Sequence, residues 1–139
     1  MNYVTSNQLI TQTDQLFEHG LDMGTYCGFT SLSEFYNVKK GCTTYIGGIP
    51  SHGKTEFHME LLMSLSELHG WKHAIFSPES GSPVEIVAEL SHKYIGKSFN
   101  KGGWQMSQQD KYNADAWLSD KFYILTPDEK KMSVENMLS

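Results

Sequence analysis

The chain has 139 residues, of which 39% are hydrophobic and 12% aromatic, enough to bury the core of one domain of ordinary size. Its formal net charge is −5 and its 11 basic residues are all lysines, which argues against nucleic-acid binding by this chain alone and against a complete phosphotransferase, because such enzymes usually clamp phosphates with arginine. It contains no apolar run of membrane-spanning length, no secretion signal and only two cysteines, so we expect a cytoplasmic protein without membrane contact.

The N-terminal part of the chain is predicted to hold two helices joined by a linker. Residues 7–19 form a helical stretch with apolar side chains at intervals, and residues 20–28 are punctuated by glycines. Residues 29–36 place aromatic and aliphatic side chains at helical spacing, which predicts a short helix. We therefore divide the chain into a lead-in helix and linker over residues 1–28 and a domain over residues 29–139.

Three apolar segments of that domain are predicted to be β-strands. Residues 43–46 are rich in β-branched and aromatic side chains and end in two glycines. Residues 73–77 and 121–125 are the second and third strands, and Thr126-Pro127-Asp128 ends the third. Three strands are few for such a sheet, whose usual size is about 4–6.

Helical patterns separate the strands. Residues 54–68 carry apolar side chains at intervals of three and four, and Gly70 ends that helix. Ser82 is a predicted N-cap, and the apolar side chains of the helix that follows are Val84, Ile86, Val87, Leu90 and Tyr94. Ser107 caps another helix, to about residue 119, and residues 133–139 would begin one more. The alternation predicts an α/β domain with a mostly parallel sheet.

The segment GIPSHGKT, residues 48–55, has the pattern G-x-x-x-x-G-K-[ST] that binds nucleotide phosphates. Gly48 and Gly53 allow backbone conformations in which N–H groups point toward an anion, and the loop leads into a helix N-terminus. Lys54 would reach the β- and γ-phosphates, and Thr55 would offer its hydroxyl to Mg²⁺. The cofactors predicted from this pattern are ATP and Mg²⁺.

Other residues of the segment have more ordinary interpretations. Pro50 removes one backbone donor, which leaves the other N–H groups of the loop. Ser51 and His52 are candidate nucleotide-binding residues. His52 lies at the loop crest, where contact with nucleotide or solvent is a better interpretation than catalysis. Glu56 is included among the candidate nucleotide-binding residues, although a carboxylate favoured by the helix dipole is the better interpretation of it. The alternative for the whole segment is a plain glycine turn.

Glu79 follows the second predicted strand, at the edge where open α/β sheets bind ligands. A carboxylate there could polarise a water that attacks the γ-phosphate. From the pattern alone, a glutamate in a surface loop is an equally good interpretation.

Three stretches of the chain resemble the ATPase domain of RecA-like replicative hexameric helicases, the DnaB-like and Twinkle-type group. They are CGFTSLSEFYNVKKGCTTYIGGIPSHGKTEF, GWKHAIFSPES and WLSDKFYIL. The resemblance implies a three-layer P-loop NTPase fold, with Glu79 as the catalytic base and the phosphate-loop roles on Lys54 and Thr55. It also implies single-stranded DNA and ring-forming copies of the chain as partners of the complete protein.

A motor of this kind also needs a magnesium-binding aspartate directly after a strand. Asp128 is a weak candidate, because Thr126-Pro127 separates it from the third strand. We therefore expect an incomplete domain, the N-terminal half of a motor, that binds nucleotide with little turnover and that either self-associates or is marginally stable. The alternatives are a small P-loop kinase and a non-catalytic nucleotide-binding or interaction protein.

Several polar and aromatic residues have structural interpretations. Lys93, Lys97 and Lys101 form a loose basic patch that could contact a nucleic-acid backbone, although a solvated face is the more ordinary interpretation. Trp104 and Trp117 are predicted to be core or half-buried anchors.

Overall fold

The computed structural model describes residues 3–77 and 82–126, and the chain divides into two compact units, Met1–Thr44 and Tyr45–Ser139. The division at residue 28 that the sequence suggests stays a prediction. The predicted helix over residues 133–139 lies outside the described residues. No helix in the described part of the chain combines the length and the apolar character needed to cross a bilayer.

The first unit contains a 3-10 helix, Ser6–Leu9, and two α-helices, α1 (Ile10–His19) and α2 (Thr30–Ser33). These elements confirm the two helices predicted for this part of the chain. No residue of α1 is buried, and the side chain of Phe17 is 91% exposed. The backbones of Thr25 and Val38 exchange two hydrogen bonds, of 2.7 and 3.0 Å, in an isolated antiparallel bridge.

The second unit alternates helices and short strands. Its elements are α3 (Lys54–His69), β1 (His73–Ile75), α4 (Pro83–Ile95), α5 (Gln108–Lys121) and β2 (Phe122–Ile124). β1 and β2 pair in parallel, with His73 opposite Phe122 and Ile75 opposite Ile124. The three predicted helices and the second and third predicted strands are therefore confirmed, apart from small differences at their ends.

The strand predicted over residues 43–46 is wrong. These residues have no regular structure and are exposed, with the side chain of Tyr45 at 92%. Their composition suits a strand, but a strand persists only where a neighbour accepts and donates its backbone hydrogen bonds. Among the described residues, the two-stranded sheet of β1 and β2 provides no such neighbour for residues 43–46.

Helix α3 ends at Gly70, as predicted. Gly70 has φ of 66° and ψ of 23°, a left-handed conformation that suits glycine because it has no Cβ. Its N–H donates to the carbonyls of Leu65 and Ser66, and the buried hydroxyl of Ser66 donates to the Trp71 carbonyl at 3.0 Å. The chain therefore leaves α3 in a fixed direction and enters β1 three residues later.

The core lies where α3, α4, α5 and the two strands meet. Its buried side chains are Met59, Met63, Ile75, Ile86, Leu90, Leu118 and Phe122. Trp117 packs against this cluster and stacks on Tyr94, with the ring centroids 4.5 Å apart, which confirms its predicted role as an anchor. Trp104 is 83% exposed, so its predicted burial is wrong. Val84 is also exposed, because it lies in the first turn of α4, off the stripe formed by Ile86 and Leu90.

Helices α4 and α5 begin with serine capping boxes. In α4, the N–H of Ser82 donates to the Glu85 carboxylate at 2.6 Å, and the Ser82 hydroxyl accepts from the Glu85 N–H. In α5, Ser107 and Asp110 make the same reciprocal pair. Each box satisfies two of the backbone N–H groups that a helix start leaves without partners.

Candidate functional site

Residues 48–55 form a tight turn that leads directly into α3. The N–H of His52 donates to the Ile49 carbonyl at 3.4 Å, which closes a turn with Pro50 and Ser51 at its centre. Ser51 has φ of 63°. Proline at the second position and a positive φ at the third are typical of a type II turn, whose third position favours glycine. Holding a serine there costs about 1–2 kcal/mol, so the loop adopts this shape against a local preference.

The start of α3 has no side-chain cap. Gly53 is the N-cap residue, with φ of 76° and ψ of 17°, and no side chain in the described part of the chain caps the first helical turn. A Cβ at Gly53 would meet no atom within 4 Å, so its backbone conformation, and not lack of space, is what favours glycine. The backbone N–H groups at this helix start are open to an anion, which the positive end of the helix dipole also attracts.

Lys54 folds back over the loop. Its Nζ donates to the carbonyl oxygens of Gly48 at 3.0 Å and Ile49 at 3.1 Å. A Cβ on Gly48 would lie 3.4 Å from the Lys54 side chain, at the limit of ordinary contact. Among the described residues Lys54 has no carboxylate partner, so its charge is balanced only by carbonyl dipoles. A phosphate could replace those carbonyls as the acceptor, since it offers a full negative charge.

A cleft of about 870 Å³ opens beside the loop, between the first turns of α3 and strand β1. The residues that line it are Lys54, Thr55, His58, Met59, Leu62, Trp71, Lys72, His73, Ala74, Ile75, Phe76 and Ser77. The cleft thus places Lys54 and Thr55 in the same space as the segment that follows β1. Its volume lies within the range of small-molecule sites, which is about 300–1,000 Å³.

Two other titratable groups of the cleft, Lys72 and His73, are already engaged or neutral. Lys72 donates to Asp120 at 2.7 Å. Burial lowers the pKa of His73, the charge of His58 adds to that effect, and a hydrogen bond to the Leu62 backbone opposes it. His73 is therefore neutral near pH 7, and within the described residues Lys54 is the cleft lysine that is not neutralised by a carboxylate.

Glu56 lies in the first turn of α3 and points to α4. Its Oε2 accepts from Lys93 Nζ at 2.5 Å, and Glu60 lies 3.7 Å from the same nitrogen. The Lys93 side chain is only 11% exposed. The hydrogen bond from Lys93 is the main cause that lowers the pKa of Glu56. Burial lowers the pKa of Lys93, but its pairing with Glu56, Glu60 and Glu89 outweighs that effect, so the net pKa is raised.

Glu89 completes this cluster from α4. Burial raises its pKa, and the neighbouring Glu56 carboxylate raises it further. Its Oε1 is buried, and within the described parts of the chain it has no hydrogen-bond donor. A protonated Glu89 would resolve both features, because it could donate a hydrogen bond to the Glu56 carboxylate.

The structure therefore changes the interpretation of the basic patch. Lys93 is bound to Glu56, and Lys97 donates to Asp110 at 2.8 Å. The contact between Glu56 and Lys93 joins residues 37 positions apart, which no local pattern predicts. The sequence did hold one indication that Glu89 and Lys93 lie close to the core. Each follows a buried residue of α4, Ile86 or Leu90, by three positions, and residues three apart lie on the same side of a helix.

The structure brings most of the predicted site together. The residues of the loop and the helix start are Gly48, Pro50, Ser51, His52, Gly53, Lys54, Thr55 and Glu56. Glu79 and Asp128 lie outside the described residues, so the roles suggested for them stay predictions. Over residues 3–77 and 82–126, no group of three or more histidine, cysteine or acidic side chains could hold a metal ion. Thr55, which lines the cleft, remains the predicted Mg²⁺ ligand.

The chain is similar to a curated protein of a plant. It is 33% identical over 110 residues to the Twinkle homolog protein, chloroplastic/mitochondrial, of Arabidopsis thaliana. The match covers 76% of this chain but only 15% of that relative. No protein-family model matches the chain, and no solved structure matches it significantly. The similarity supports the helicase family to which the sequence resemblance pointed, while the cytoplasmic location stays a prediction, since the relative is named as chloroplastic or mitochondrial.

Proposed function

We propose that this chain binds ATP with Mg²⁺ at residues 48–55, as the nucleotide-binding part of a replicative DNA helicase motor. The observation that carries the proposal is the uncapped start of α3, with Gly53 in the left-handed conformation and Lys54 held over the loop, where no carboxylate of residues 3–77 or 82–126 pairs with it. The similarity to the Twinkle homologue supports the helicase part of the proposal.

The residues present fit a bound nucleotide. The open N–H groups at the start of α3 would bind phosphate oxygens, and Lys54 would exchange its two carbonyl acceptors for them. Thr55 would offer its hydroxyl to Mg²⁺, which would neutralise phosphate charge when bound. The cleft beside Thr55 extends to Ser77, two residues before Glu79. We propose Glu79 as the group that orients the attacking water.

The fold and the partners belong to the same proposal. We propose that the second unit is built as a P-loop NTPase, of which β1 and β2 form a parallel pair of strands. Helix α1, which buries no residue, would pack on a neighbouring copy. Because the chain spans only 15% of the relative it matches, DNA unwinding is proposed only for a protein in which this sequence stands with the rest of such a motor.

Binding of a fluorescent ATP analogue with Mg²⁺ tests the proposal. We expect saturable binding by the wild-type chain, and about a 10- to 100-fold loss of affinity for Lys54→Ala, because a charge-assisted hydrogen bond is worth about 1.5–3 kcal/mol. Lys101→Ala removes an exposed lysine outside the loop and should bind as the wild type does. Absence of saturable binding by the wild type, or equal losses in both variants, would reject the proposal.

Hydrolysis separates the two proposed roles. Glu79→Gln should keep the affinity for Mg²⁺–ATP and remove any phosphate release that the wild-type chain shows. We expect that release to be slow, with or without single-stranded DNA. A Glu79→Gln variant that hydrolyses ATP as fast as the wild type would contradict the role given to Glu79.

A further inference from the structure

Glu56 occupies the same helical position as the carboxylates of the two capping boxes. Counting from the N-cap residue, Glu56 is the third helical residue of α3, as Glu85 is in α4 and Asp110 in α5. In α4 and α5 that carboxylate turns back and accepts a hydrogen bond from the N-cap N–H. In α3 no hydrogen bond joins Glu56 to Gly53, and Lys93 binds the Glu56 carboxylate instead.

The pairing with Lys93 has a direct consequence for the loop. A carboxylate at the third helical position tends to fold back onto the helix start, since the dipole and the open N–H groups attract it. There it would neutralise the groups that the proposed function assigns to phosphate. Lys93, fixed on α4 and largely buried, offers Glu56 a stronger partner on the opposite side.

We propose that Lys93 is a positioning residue: by holding Glu56 against α4 it keeps the start of α3 open for the nucleotide phosphates. This inference rests on the proposed function. The cluster supports it, because Glu60 and Glu89 add two more carboxyl groups around the same nitrogen. His92 is the other titratable group of α4 that acts electrostatically on Glu56 and Glu89.

Lys97 provides a matched control within the same chain. It also binds the carboxylate at the third position of a helix, Asp110, at 2.8 Å. There the carboxylate keeps its bond to the N-cap N–H of Ser107, at 2.9 Å. Lys97 therefore binds a carboxylate that already caps the start of α5, whereas Lys93 binds a carboxylate that does not cap the start of α3.

The test compares Lys93→Met, Lys93→Arg and Lys97→Met in the binding assay for Mg²⁺–ATP. We expect about a 10-fold loss of affinity for Lys93→Met, the scale of one hydrogen bond to a charged group, with Lys93→Arg and Lys97→Met close to the wild type. Adding Glu56→Ala to Lys93→Met should restore most of the affinity, because the competing carboxylate is gone. A purely structural role for Lys93 predicts no restoration, and that result would overturn the inference.

Amide hydrogen exchange provides a readout that needs no nucleotide. In Lys93→Met the freed Glu56 carboxylate should cap the helix start, so the Gly53 amide should exchange at least ~3-fold more slowly than in the wild type or in Lys97→Met. If the wild type fails to bind Mg²⁺–ATP, the proposed function fails while this exchange experiment still tests the inference. Unchanged Gly53 exchange in a folded Lys93→Met variant would overturn the inference by itself.

Discussion

Helix α3 begins differently from helices α4 and α5. The starts of α4 and α5 are closed by a serine and a carboxylate that bond to each other's backbone. The start of α3 has a glycine in place of the serine, and its carboxylate is bound elsewhere. All three helices belong to the same unit, so the difference lies in the residues at each helix start and in the neighbour that binds the carboxylate.

The difference separates two uses of a helix start. A capping box stabilises a helix by about 1 kcal/mol, and natural sequences use serine or aspartate there at little cost. Leaving α3 without a cap forgoes that stabilisation, and Ser51 adds a backbone strain of similar size in the preceding turn. Local stability is therefore lower at the one helix start, among α3, α4 and α5, where the sequence predicts a phosphate loop.

The largest expected effect comes from placing a charge at the start of α3. Gly53→Asp puts a carboxylate within about 5 Å of the proposed phosphates, which costs about 3 kcal/mol at an effective dielectric constant near 20, or ~100-fold in affinity for Mg²⁺–ATP. Gly53→Asn is the matched control, since asparagine has the same shape and tolerates the left-handed conformation. Equal affinities in the two variants, measured by titration of a fluorescent ATP analogue, would contradict an anion site at this helix start.

Removing the serine caps of α4 and α5 should lower the stability of the chain and leave its affinity for Mg²⁺–ATP nearly unchanged. Ser82→Ala and Ser107→Ala should each cost about 1 kcal/mol of stability, which lowers the midpoint of thermal unfolding by about 3–5 °C. Neither variant should change the affinity for Mg²⁺–ATP by more than about twofold, since neither residue touches the loop. Ser119→Ala is the control within α5, because its hydroxyl bonds only to a helical carbonyl. A midpoint unchanged in both cap variants would show that the boxes contribute nothing.

The sequence predicted the structural features that depend on residues close together along the chain. The starts of α4 and α5 were predictable because the hydroxyls of Ser82 and Ser107 accept hydrogen bonds from backbone N–H groups only three residues further along the chain. The loop over residues 48–55 that leads into α3 was predictable for the same reason, while its binding of phosphate stays a prediction. The strand predicted over residues 43–46 failed because pairing depends on a distant segment, which composition does not report. The pairing of Glu56 with Lys93 was missed because it spans 37 residues and two helices.

The smallest expected effect concerns the carboxylate of the α5 capping box. The hydrogen bond from Lys97, followed by the backbone and side-chain hydrogen bonds from Ser107, lowers the pKa of Asp110 to about 2. Its pKa in the folded chain therefore lies below 3.8, the ordinary value of an aspartate side chain. Asp110 therefore contributes stability above about pH 4, and that contribution is lost as the pH falls toward 2.

Thermal unfolding of Asp110→Asn against pH measures this contribution. The unfolding midpoint of Asp110→Asn should lie no more than about 2 °C below that of the wild type at neutral pH, and the gap should close as the pH falls from about 4 to 2. Lys97→Met should move the wild-type acid transition toward higher pH, because Asp110 loses its main partner. A gap that stays constant over this range would mean that Asp110 acts through packing and not through its charge. The start of α5 would then be capped through packing alone. The difference between Asp110, which caps α5, and Glu56, which does not cap α3, could then not be attributed to the charge of the carboxylate.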